Sequence, residues 1–164
     1  MKTLFIFALI CLGFSASPLQ AEDDLASREL LGKLALGQKA EEVIKLLGKP
    51  ASKGKDVMWE AIGEWVQEWE FPDQGISLHM ASTKKGGVKS VLTITGSAKC
   101  KFSTARGIGI GSSEAAVKKA YGAVQDKEAS EAGKIFVAGS VYGGVIFHFE
   151  KGNVSEIFIG AAAE

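Results

Sequence analysis

The chain repeats itself, and that repeat limits the folds open to it more than any other feature. Leu34-Ala35-Leu36-Gly37, Val43 and Leu46-Leu47-Gly48 recur as Ile108-Gly109-Ile110-Gly111, Val117 and Ala120-Tyr121-Gly122, at a constant offset of 74. Gly75-Ile76-Ser77-Leu78-His79-Met80 recurs as Gly144-Val145-Ile146-Phe147-His148-Phe149 at an offset of 69, and Val88–Ile94 recurs as Val154–Gly160 at 66. Order is kept while spacing shrinks, so the first copy carries the longer connections. A repeat is weighed before single motifs because each copy must fold as one supersecondary unit. The pattern predicts two tandem copies of one small α+β unit, residues 22–97 and 98–164. Neither copy holds a catalytic constellation, which argues against an enzyme.

Residues 1–21 read as a secretory signal peptide. Lys2 supplies the positive start, Leu4–Phe14 the apolar stretch, and Ser15–Ala21 a small-residue tail with cleavage expected after Ala21. The apolar run is too short to span a bilayer. Glu22-Asp23-Asp24 follows at once, so a retained anchor is disfavoured, and bulky Ile10 disfavours lipidation of Cys11. A periplasmic or secreted protein is expected, with no membrane span in the mature chain. Basic and acidic residues balance at 19 each, and without a basic patch nucleic acid is not an expected partner. Cys11 leaves with the signal, so Cys100 stands alone and no internal disulfide is available. Cys100 reads as a buried thiol at the junction of the copies, with an intermolecular disulfide as the other reading.

Hydrophobic period places the elements. Residues 23–31 suggest a first helix, with acidic residues in the first turn where the helix dipole favours them. In 39–47, Ala40, Val43, Ile44 and Leu47 follow the i, i+3, i+4, i+7 rule. Gly48 and Pro50 then stop the helix. The second copy starts better: Ser112 or Ser113 can cap, Glu114 lies in the first turn, and Gly122 is expected to end the helix as Gly48 does. Strands are expected at 57–59, 65–71, 76–81 and 88–95, then at 135–137, 145–149 and 154–159. Along 65–71, Trp65, Trp69 and Phe71 share one face, and Glu68 and Glu70 the other. Each copy thus reads as helix–helix followed by a four-stranded antiparallel meander. Such sheets bury one face under helices and leave the other free.

Gly37-x5-Val43-x4-Gly48-Lys49-Pro50 resembles a helix motif that recurs in small bacterial envelope proteins, and Arg106–Gly122 fits it more closely. The motif is shared by the β-lactamase inhibitory protein family and the SmpA/OmlA outer-membrane assembly lipoproteins. The tandem arrangement is most similar to the inhibitory-protein architecture. That resemblance implies two helix–helix–four-strand units in one continuous sheet, with helices on one face and a concave binding face opposite. Gly37, Gly48, Gly111, Gly122, Val43 and Val117 map onto the motif in structural roles. The disulfide that the resemblance implies for each unit is missing, and no inhibitory residue maps onto this chain.

His79 and His148 occupy equivalent places in the two copies, and alternation turns both toward the open side of the sheet. They read either as hydrogen-bonding, pH-sensitive contacts or as exposed polar residues inherited by duplication. No third ligand joins them, so no metal is expected. Trp59, Trp65 and Trp69 crowd the first copy, with Phe136 and Tyr142 in the comparable region of the second. Tryptophan on a strand serves a core or a binding face, and one or two of these three are expected on the open face. Glu64, Glu68 and Glu70 read as a solvated strand face. Residues 107–111 lack the Lys-Ser/Thr of a phosphate loop. No cofactor is expected. The reading is a non-enzymatic, exported protein-binding module, an inhibitor or an envelope accessory protein. It would bind through Trp59, Trp65, Trp69, His79, Tyr142 and His148 and the loops 72–75, 84–87 and 140–144. A small-ligand or cell-wall-fragment binder is the alternative.

Overall fold

The computed structural model describes residues 25–162; the signal segment expected at 1–21 lies outside them. The described residues form three short α-helices, α1 (Leu25–Arg28), α2 (Ala40–Leu47) and α3 (Glu114–Tyr121). Nine strands follow in chain order: β1 (Ser52–Lys53), β2 (Val57–Trp59), β3 (Glu64–Phe71), β4 (Ile76–Ser82), β5 (Ser90–Gly96), β6 (Gln125–Glu131), β7 (Ile135–Ala138), β8 (Gly144–Glu150) and β9 (Asn153–Gly160). All pair antiparallel in one sheet of order β1-β3-β4-β5-β9-β8-β7-β6, with β2 also on β3. The centre is β5 against β9, through Ile94↔Ile159, Thr95↔Phe158 and Gly96↔Ile157. None of the described helices is long and apolar enough to cross a membrane.

The helices α2 and α3 form for the same local reasons. In both, a β-region residue, Lys39 or Ser113, precedes the helix, and acidic residues occupy the first turn. Ser113 Oγ accepts from the Ala116 N–H at 3.2 Å, the cap expected from sequence. The two ends differ. Gly48 has φ +84°, open to glycine at little cost. Gly122 instead stays right-handed at φ −58° and begins a 3₁₀ turn through Val124, so it does not end its helix as Gly48 does.

Two further expectations are corrected. A helix over 23–31 is realised only as Leu25–Arg28 within the described part, because the chain turns back at once: Leu31 and Leu34 exchange backbone hydrogen bonds of 3.0 Å around Gly32 at φ +65°. The expected helix pair of the second copy is one helix, α3, since Thr104 N–H donates to the Ile108 carbonyl at 2.8 Å and closes a similar turn. Strands β1 and β6 were not legible, as their sequences, Ser-Lys and Gln-Asp-Lys-Glu-Ala-Ser-Glu, carry no apolar alternation. Strand β5 begins at Ser90 instead of residue 88, leaving Val88 exposed.

One core forms beneath one face of the sheet. Val43 and Leu47 of α2 and Val117 and Tyr121 of α3 join Trp69, Phe71, Leu78, Met80, Ile94, Phe147, Ile157 and Ile159 in a single cluster. Cys100 belongs to it as a free, buried thiol. Burial raises its pKa, because the thiolate would lose solvation. The backbone approaches closely here: a Cβ on Gly75, which sits at φ +64°, would lie 2.5 Å from Cys100 N.

A polar clasp runs through the core. Glu29, 3% exposed, accepts Tyr121 O–H at 2.7 Å, Ala105 N–H at 2.8 Å and Leu30 N–H at 3.1 Å. A buried carboxylate costs several kcal/mol unless donors surround it, and three do. Burial raises the Tyr121 pKa well above its ordinary value. Tyr121→Phe keeps the ring against Phe147, 5.0 Å between centroids, but leaves one Glu29 oxygen short of a donor. It is expected to cost about 1–3 kcal/mol, read by urea unfolding near neutral pH. The raised Tyr121 pKa favours the native state fully below the ordinary tyrosine value of about 10, and that contribution is lost as pH rises through the higher native value. Alkaline unfolding of the wild type should therefore steepen above about pH 10, and the variant should lose that component. Matched unfolding curves between pH 8 and 11.5 check both.

Candidate functional site

Strand register sorts the side chains onto two faces. Trp65, Gln67, Trp69 and Phe71 of β3 lie on the helix side, opposite Ser82, Met80, Leu78 and Ile76. Glu64, Val66, Glu68 and Glu70 point to the other side, where Val66↔Ala81, Glu68↔His79 and Glu70↔Ser77 pair. Continuing across, His79 pairs Thr93, Ile146 pairs Phe158, and His148 pairs Glu156. The buried residues of α2 and α3 all join the core cluster, which includes none of these open-face residues.

The six residues singled out from sequence part company. Trp59 and His79 meet on the open face, their rings edge to face with centroids 5.0 Å apart at 67°. His79 Nδ1 lies 3.0 Å from Thr93 Oγ1. Trp69 is 3% exposed and in the core cluster, so its expected place on a binding surface is corrected. Its odd position on β3 turns it beneath the helices, where its indole N–H donates to Gln67 Oε1 at 2.8 Å and Lys53 Nζ sits 3.7 Å from the ring centroid. Trp65 shares that side and is likewise removed from the open face, with Lys85 Nζ 5.1 Å from its ring centroid. Tyr142 stands 70% exposed in the β7–β8 turn. His148 is on the open face as expected, with Nε2 3.9 Å from Glu156 Oε1, too long for a hydrogen bond.

The two histidines do not form one site. His79↔Thr93 and Gly144↔Gly160 fall on one row, since a Cβ on Gly160 would meet Thr93 Cγ2 at 2.9 Å. His148 lies four residues along β8 from that row and three strands from β4, so the pair stands roughly 20 Å apart. Among the described residues no group of His, Cys, Asp and Glu could hold a metal.

Sequence reasoning missed two features. One is the open-face notch of about 250 Å³ around Trp59 and His79, which Val57, Val66 and Glu68 also line. Alternation puts Glu68 on that face, but only the β3–β4 register sets it opposite His79 and only β2 pairing brings Trp59 over. The other is a cleft of about 560 Å³ on the helix side, lined by Lys39, Ile44, Lys53, Gln67, Trp69 and Val88. At its edge buried Lys89 donates to Asp56, to the Trp65 carbonyl at 2.9 Å and to Ser82 Oγ at 3.0 Å. The Lys89 hydrogen bond, with help from the Gly86 N–H, holds the Asp56 carboxyl below its usual range. Those groups satisfy one another and tie the 83–89 turn to the chain before β2.

The burial difference has a direct consequence. Trp69→Ala should cost about 3–5 kcal/mol of stability, as removal of a large core aromatic does. Trp59→Ala should cost about 1 kcal/mol, the ordinary scale for a point change outside the core. Denaturant midpoints of the two variants check this. No family model, curated protein or solved structure matches this chain.

Proposed function

We propose that this chain is a non-enzymatic, exported protein-binding module. Two tandem units, 22–97 and 98–164, resembling the β-lactamase inhibitory protein arrangement, would build the sheet, and its open face and hairpin turns would bind the partner. The strand order supports the tandem reading, since it runs outward from β5–β9 to β6 on one side and to β1 and β2 on the other. The observation that carries the binding reading is the Trp59–His79 stack on the face opposite the core. An aromatic pair held there at the cost of partial exposure suits an interface, where tryptophan and tyrosine contribute most. Exposed Val57 of β2, paired with Val66 on that face, extends the apolar area beside it. The partner would be an enzyme that the chain inhibits or an envelope protein that it assists.

A second reading, a small-ligand binder, draws on the cleft beside Trp69. Its size fits a small molecule, and binding there would change tryptophan fluorescence without any protein partner.

The test is capture from cell-envelope extract on immobilised residues 22–164, beside a Trp59→Ala/His79→Ala variant of matched thermal stability. The expected outcome is a protein retained by the wild type and lost by the variant. Equal retention by both removes the open face from the function. Retention of nothing, with fluorescence changes toward small cell-wall fragments, transfers the function to the cleft.

A further inference from the structure

The strands of the open face carry several acidic side chains. From β3 to β8, the side chains that register turns to this face include Glu64, Glu68, Glu70, Glu150 and Glu156, two histidines, and no lysine or arginine. The lysines near β3 are divided: Lys39, Lys53 and Lys89 line the helix-side cleft beside Trp69 together with Glu41 and Asp56, and Lys55 lines the open-face notch.

Within that face the notch has a defined chemistry. Glu68 stands directly across from His79, so their Cβ atoms lie about 5 Å apart. The Glu68 carboxylate is exposed, and no hydrogen bond or ion pair engages it among the described residues. Trp59 packs against His79 from the edge strand β2, and Val57 and Val66 floor the notch. Its volume of about 250 Å³ is below the range of small-molecule pockets and suits one inserted side chain.

We propose that this notch receives an arginine side chain from a basic surface of the partner protein. The proposal rests on the open-face reading above. The guanidinium would lie on the Trp59 ring and present its planar fork to the Glu68 carboxylate. Arginine combines that stacking with bidentate hydrogen bonding, and a lysine ammonium does not. His79 adds a ring nitrogen, Nε2, since Nδ1 is taken up by Thr93. The one opposing charge is Lys55, which lines the same notch, and its removal should favour binding.

The probe is the blocked tripeptide acetyl-Gly-Arg-Gly-amide, titrated into residues 22–164 and followed by NMR at the Trp59 indole N–H and the His79 ring. The isosteric citrulline peptide and the lysine peptide serve as controls. Saturable shifts at both residues are expected with arginine, weaker ones with lysine and none with citrulline. Glu68→Gln should weaken binding at least about fivefold, a screened charge-assisted pair being worth about 1 kcal/mol. Lys55→Gln should tighten it about twofold by the same Coulomb reasoning, and Glu156→Gln, remote on the same face, should leave it within about twofold. Equal binding of citrulline, or an unchanged Glu68→Gln variant, overturns the proposal. If the arginine peptide fails while a protein is still captured through Trp59 and His79, this inference falls and the open-face reading stands. If both fail, both fall.

Discussion

Everything in this molecule depends on the antiparallel contact between β5 and β9. Three paired positions, Ile94↔Ile159, Thr95↔Phe158 and Gly96↔Ile157, join the strands before residue 97 to those after it. Without that contact each half would be a small sheet with an exposed central edge, a ready template for pairing with other chains. With it, Ile94, Ile157 and Ile159 become fully buried, and one core runs beneath both halves. A single core of this extent matters where no disulfide staples the described residues, Cys100 being a free thiol, because small separate units bury too little apolar surface to be stable alone.

The helix side reinforces the junction with polar chemistry. Glu29, from the start of the described chain, is held by Tyr121 at the end of α3 and by the backbone at Ala105. These bonds span 92 and 76 residues of sequence, so the clasp ties together segments that only the tertiary fold makes neighbours. On the other edge, Lys89 does comparable work locally, tying Asp56, Ser82 and the Trp65 carbonyl. Buried charges satisfied this fully hold one arrangement in place, since breaking either would strand a charged group in the core.

That division leaves the opposite face uncovered by the helices. With helices and buried polar links on one side, the other carries carboxylates, two histidines and the Trp59–His79 stack. A rigid sheet suits the binding role proposed for that surface, because side chains held in register by backbone pairing would leave little ordering for the moment of binding.

Much of this was legible in the residues. The period of 39–47, the Ser113 cap and the alternation of β3 follow from local chemistry, which acts over a few residues and so survives in sequence. Alternation also placed His79 and His148 on the open side. What the sequence could not determine was register and long-range pairing. Whether Trp69 or Trp59 faced the core depended on which strand β2 joined and on how the helices lay over β3, and both are decisions of tertiary packing. Strands β1 and β6 exist because β3 and β7 offer them edges, and their own polar residues carry no strand signal. The Glu29 clasp and the Glu68–His79–Trp59 notch are likewise products of tertiary structure, since each assembles residues distant in the chain whose proximity no local preference encodes.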